Sequence, residues 1–265
     1  MSDQSRKIEL EVEVAGTPKS VWRAIATGPG ISSWYVPHQV EERDGGKATA
    51  SFGPGPEMQV PGRVAAWEPP NRIVFEGGGG DDDGNGMAFE WLVEARDGGT
   101  CVVRLVNTGF GSGESGDDQY DAMTEGWKLF LFNLRLHLQH FAGQTAVSFL
   151  PSAMWSGTRE DAWRNLTSAL GVEPAPAVGA DVQLTGGSGL SMSGTVTDRS
   201  ATRLSLLLRE PAPGTAIVAV EGTPPQIMVS IWAYLYGENA PVLATDQGPQ
   251  WQQWLTDRAD GIPPD

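Results

Sequence analysis

The stretch GWKLFLFNLRLHLQHF, from Gly126 to Phe141, constrains the fold of this chain more than any other. Nine of its sixteen residues are Trp, Leu or Phe, yet it is too short and too charged to cross a bilayer. At ~100° per residue, Trp127, Phe130, Leu131, Leu134, Leu138 and Phe141 share one arc of a helix. His137 lies at the edge of that arc beside Phe130 and Asn133, and His140 points away. Such a helix must lie against something, either an ordinary packed sheet or the wall of a cavity.

The residues before it supply a sheet. Ile8 to Val14 alternates apolar and acidic side chains, the period of a strand with one buried face. Thr17-Pro18 opens a helix with a capping hydroxyl and a proline at the first helical position, and Val21, Trp22 and Ile25 form its apolar side. A second short helical piece, Ile31 to Tyr35, ends at Pro37. From Val40 the pattern is strand and turn: Lys47 to Phe52, Val60 to Trp67, Arg72 to Glu76, Ala88 to Ala95 and Thr100 to Thr108. Asp44-Gly45-Gly46 and Asp97-Gly98-Gly99 are hairpin signals. The opening helix closes the series at 121–141. This order predicts an α+β fold.

Residues 144–265 contain no lysine and no histidine, but they repeat the order. Thr158 to Trp163 opens a helix much as Thr17 to Trp22 does, and both reach an apolar-Trp-Arg triplet. Strand patterns follow at 179–185, 190–197, 204–209, 215–221 and 226–236, and Trp251 to Leu255 sits where a closing helix belongs. The reading is two domains, 1–143 and 144–265, the second a shortened copy of the first with a short, polar closing helix and little cavity. An unrelated α+β extension is the alternative.

The run SSWYVPHQVEERDGGK, the later GRVAAWEPPNRIVFE, the NTGFG after the last strand and the closing GW-x₃-L-x₂-L-x₃-L carry a resemblance. Together, over residues 6–143, they resemble the START-related SRPBCC superfamily, in particular the branch named after the activator of the heat-shock ATPase chaperone. The resemblance implies a helix-grip fold: a curved antiparallel sheet wrapped around the long C-terminal helix, with a cavity between them. In such folds the apolar stripe of the helix also lines one wall of the cavity. Superfamily members include lipid and hormone carriers, polyketide cyclases, ring-hydroxylase subunits and chaperone activators, so fold alone does not select among them.

Charge and motifs narrow the field. With 33 acidic and 18 basic residues the formal net charge is −15, which repels phosphate backbones and anionic lipid, so neither nucleic acid nor membrane is an expected partner. The N-terminus lacks the apolar run of a signal peptide, and a cytoplasmic location is expected. His137 and His140 have no third ligand at sensible spacing, so no metal or other cofactor is expected. Asp81 to Gly86 fits the first six positions of a calcium loop, but the twelfth is Leu92 in place of a bidentate glutamate. Gly111 to Gly116 spells a dinucleotide fingerprint after an antiparallel strand, where no pyrophosphate site forms, and Glu114, Asp117 and Asp118 would repel phosphate. The lone Cys101 alternates with Val103 and Leu105, the setting of an inert thiol.

The expected function is binding of a small apolar or aromatic molecule in the first unit. Trp34, Tyr35, His38, Met58, Trp91, Trp127, Phe130, Leu131 and Leu134 are the residues expected to line or gate the cavity. A polyketide-cyclase-like enzyme is the alternative, using His38, Glu90, Arg104 and Tyr120 if they converge. A chaperone-activator role through an external surface is a third. The oligomeric state is not legible in the residues.

Overall fold

The computed structural model describes residues 6–53, 55–77, 86–110, 114–187 and 189–259, with backbone only at 114–118. Two compact units divide the chain, Met1–Thr145 and Ala146–Asp265.

In the first unit the strands are β1 (Ile8–Ala15), β2 (His38–Val40), β3 (Lys47–Ser51), β4 (Gln59–Glu68), β5 (Arg72–Gly77), β6 (Ala88–Arg96) and β7 (Thr100–Thr108). They form a seven-stranded sheet in the order β1-β7-β6-β5-β4-β3-β2, every pair antiparallel. The meander runs from β2 to β7, and β1 then pairs with the last strand. The helices are α1 (Pro18–Ala26), α2 (Gly28–Ile31) and α3 (Glu114–His140). This is the helix-grip arrangement implied by the sequence.

Alternation decides which side chains face inward. Along β7, Cys101, Val103, Leu105 and Asn107 are buried while their neighbours are partly exposed, and β1 buries Ile8 and Val14. Helix α1 begins where Thr17 and Ser20 satisfy each other's backbone: the Ser20 N–H donates to Thr17 Oγ1 and the Thr17 N–H to Ser20 Oγ. Its buried face is Val21, Trp22 and Ile25. Helix α3 has 27 residues and begins seven residues before the expected start, taking in residues 114–116 of the glycine-rich run. The rest of that run, 111–113, and residues 81–85 of the acidic run lie outside the described residues. Leu129, Leu136 and His137 are buried along with the expected arc, so the apolar stripe is wider than periodicity alone indicates.

The second unit follows the same plan of edge strand, helix, antiparallel meander and closing helix, with five meander strands where the first unit has six. Strands β8 (Val147–Phe149) and β9 (Ser152–Trp155) both pair antiparallel with the last strand, β14 (Gln226–Leu235). They act as one edge strand interrupted at Leu150-Pro151, where proline removes a backbone donor. The remaining sheet runs β10 (Asp181–Gly187), β11 (Leu190–Ser200), β12 (Arg203–Glu210), β13 (Gly214–Thr223) and β14. Helix α4 (Arg159–Ala169) is capped by Thr158, whose Oγ1 accepts from the Asp161 N–H at 3.1 Å, and Trp163 and Leu166 are buried on it.

The closing helix α5 (Ala240–Thr256) has 17 residues, against the short one expected. Pro241, Gly248 and Pro249 disguise it. Pro241 is in the first turn, where it is tolerated, and a Cβ on Gly248 would stand 3.0 Å from the Phe149 Cβ, so the close packing against β8 favours glycine. Trp251 is fully buried and fills the space beneath β10, where a Cβ on Gly186 would meet its ring at 2.9 Å.

Candidate functional site: an aromatic cavity in the first unit

A cavity of about 250 Å³ opens between the sheet of the first unit and α3, just below the range of about 300–1,000 Å³ usual for ligand clefts. Three groups of residues form it. Phe75 on β5 with Phe89 and Trp91 on β6 give one wall, Met123 and Trp127 on the first half of α3 another, and Ile25, Ile31, Trp34, Tyr35 and His38 close one end.

The space exists because the strands facing this end of α3 carry small residues. Ala48 and Ala50 on β3 and Gly62 on β4 line it with Gly77 on β5. Gly62 and Gly77 are register partners. A Cβ on Gly62 would lie 2.7 Å from the Glu76 carbonyl oxygen, and Gly77 has φ +129°, so neither position accommodates a side chain without strain.

The aromatic rings pack against one another, some edge to face and some tilted or stacked. Tyr35 is the hub, with ring centroids 4.5 Å from Phe130, 5.1 Å from Trp127 and 5.5 Å from His38. Trp91 stands 5.6 Å from Trp34 and 5.5 Å from Trp127, both near perpendicular. Buried hydrogen bonds fix these rings. Trp34 Nε1 donates to the Ala24 carbonyl at 2.9 Å, and Asn133 Nδ2 to the Trp34 carbonyl at 2.9 Å. Trp127 Nε1 donates to Asn107 Oδ1 at 3.3 Å, while Asn107 Nδ2 donates to the Ala88 carbonyl. Nothing in the sequence marked Asn107 and Asn133 as supports, since a polar residue on an apolar face is legible only once its partner is known.

His38 opens β2. Its backbone N–H donates to Ser32 Oγ at 2.9 Å, and its ring Nδ1 lies 2.8 Å from the Val36 carbonyl oxygen. A carbonyl only accepts, so Nδ1 carries the proton. Burial pushes the imidazole below its ordinary value, partly offset by that hydrogen bond. Burial likewise pushes the Tyr35 phenol above its usual range. Each keeps its neutral form at neutral pH.

Of the nine residues singled out from the sequence, Trp34, Tyr35, His38, Trp91 and Trp127 line the cavity. Phe130 packs behind it against Tyr35, and Leu131 and Leu134 are buried farther along α3, outside the lining. Met58 is exposed on the short 3-10 turn Pro56–Met58. The small residues Ala48, Ala50, Gly62 and Gly77 were missed, because pattern reading looks for large side chains and a cavity is made by small ones.

The proposed proton-transfer residues do not converge. Glu90 lies on the face of β6 opposite Trp91 and accepts from Arg72 Nε at 2.6 Å. Arg104 donates to Glu11 at 2.6 Å on the outer face of the sheet, and the Tyr120 hydroxyl donates to the Lys7 carbonyl. Among the described residues, no group of three or more His, Cys, Asp or Glu side chains is placed to hold a metal ion, and no helix is long and apolar enough to cross a membrane.

Residues 15–139 match the family model described as "Activator of Hsp90 ATPase homolog 1-like protein". No curated protein matches the chain. Among solved structures, protein MLL2253 from Mesorhizobium loti is 18% identical over 51% of this chain and 98% of its own, with a TM-score of 0.45. The Aha1 dimer from Colwellia psychrerythraea is 16% identical over 51% and 97%, at 0.44. The di-domain ARO/CYC BexL from the BE-7585A biosynthetic pathway is 17% identical and covers 96% of this chain and 93% of its own, at 0.46.

Proposed function

We propose that this chain, whose residues 15–139 match the Activator of Hsp90 ATPase homolog 1-like family model, is a receptor for a small apolar or aromatic molecule. The observation that carries this reading is the apolar cavity walled by Trp34, Tyr35, Phe89, Trp91 and Trp127. Empty apolar space in a protein interior costs stability by forgone packing, and here it is built in by two alanines and two glycines. Rings held by buried hydrogen bonds give a pre-shaped surface, so little side-chain entropy is lost when a flat molecule enters. The scattering of Glu90, Arg104 and Tyr120 in separate interactions supports binding over general acid–base chemistry.

The test combines native mass spectrometry of the purified protein with a panel of neutral aromatic compounds, applied to the wild type and to Ala50→Leu. The expected result is a bound small molecule, or uptake from the panel, that Ala50→Leu reduces while the protein stays folded. An empty wild type that takes up nothing, or binding indifferent to Ala50→Leu, overturns the proposal.

A further inference from the structure

Resting on that reading, we infer that the ligand is an uncharged aromatic molecule carrying a hydrogen-bond donor, a hydroxyl or N–H, which it gives to His38 Nε2. The ring of His38 lines the cavity, and its Nδ1–H is committed to the Val36 carbonyl at 2.8 Å. The imidazole therefore offers the cavity Nε2, whose lone pair accepts and cannot donate. Among the described residues Nε2 has no hydrogen-bond partner. A ligand group facing it must bring its own proton. An ether or ketone oxygen there would set two acceptors against each other.

Charge excludes the commonest amphipathic ligands. No lysine or arginine lines the cavity among the described residues. The one charged residue of the lining, Glu76, is acidic, and its carboxylate accepts from Arg63 Nη2 at 2.6 Å and Nε at 3.1 Å in an exposed ion pair. A carboxylate, sulfonate or phosphate entering this space would lose its water with no counter-charge to replace it. The site therefore selects against fatty acids and acyl phosphates, and for phenol- or indole-like compounds. The edge-to-face contacts of Tyr35 with Phe130 and of Trp91 with Trp34 suit a flat π-system, and the volume of about 250 Å³ limits it to a few rings.

The experiment uses three probes of one shape, 2-naphthol, 2-methoxynaphthalene and 2-naphthoate, titrated at pH 7.5 by calorimetry into wild type, His38→Leu and His38→Gln. A neutral hydrogen bond is worth about 1 kcal/mol or somewhat more when its loss leaves a buried acceptor bare, so 2-naphthol should bind roughly 5- to 10-fold tighter than its methyl ether. Naphthoate should bind weakest. His38→Leu should erase the preference for naphthol while the ether still binds, at least as tightly as to the wild type, which also shows the cavity is formed. His38→Gln, whose amide oxygen accepts, should keep part of the preference and serves if His38→Leu does not fold. Equal affinity for naphthol and ether in the wild type, or naphthoate binding tightest, overturns this inference while the cavity reading stands. Binding of none of the three overturns both.

Discussion

Replacing His137 by leucine should make the first unit markedly less sensitive to acid. His137 is 3% exposed on α3, and burial pushes its imidazole down to about 4 from an ordinary value of 6.5. The sign follows from proton binding. Between pH 6.5 and 4 the unfolded chain takes up a proton at this residue and the folded chain does not, so stability falls as pH falls through that window. Above 6.5 both states are neutral and the residue exerts no pull. At about 1.4 kcal/mol per pKa unit, the gap between 6.5 and about 4 amounts to ~3 kcal/mol lost once the pH is below both values. Hydrogen exchange of the α3 amides, corrected for the intrinsic pH dependence of exchange, reads this unit separately from the other. Between pH 7.5 and 4.5 the wild type should lose roughly 2 kcal/mol relative to His137→Leu. His38, whose imidazole is also held down by burial, is present in both proteins and cancels. Parallel pH profiles would refute the reasoning.

Leu134→Ala removes a fully buried side chain that does not line the cavity; melting should show a loss of about 2–5 kcal/mol, with ligand affinity of the folded fraction unchanged in calorimetry. Thr158→Ala deprives the Asp161 N–H of its cap and should cost about 1 kcal/mol, seen as faster hydrogen exchange in the first turn of α4. Glu90→Gln and Arg104→Gln break exposed or half-exposed ion pairs on the outer sheet face; each should change stability by less than about 1 kcal/mol and leave binding of neutral aromatics untouched.

Much of the architecture was legible because it rests on local chemistry. The alternation of Ile8 to Val14, the Thr17 and Thr158 caps and the glycine turns each state a backbone preference that the tertiary fold keeps. Where the reading fell short, a long-range contact outweighed a local signal. Pro249 and Gly248 look like helix breakers, but α5 continues through them because its packing against β8 brings glycine close to Phe149. β8 and β9 were invisible because Pro151 splits a short edge strand whose partner, β14, lies more than seventy residues on. In the cavity, the aromatic residues before His38 and at Trp91 and Trp127 were marked by size, whereas Phe130, Leu131 and Leu134 share the helical period with Trp127 but do not line the cavity. Periodicity identifies a face of a helix. It does not say where along that face the opposing sheet stops filling the gap.

The Gly62–Gly77 pair bears on how such a binding site can diversify. Two strands meet there backbone to backbone, one residue in a conformation reserved for glycine and the other blocked by a carbonyl. Selection for a smaller or differently shaped ligand has no easy foothold at those two positions. Ala48 and Ala50, on the neighbouring strand, have ordinary strand geometry and their side chains can grow. Homologous chains that take different ligands should therefore vary at the alanine positions while keeping the glycines, so that the cavity has one fixed wall and one adjustable wall.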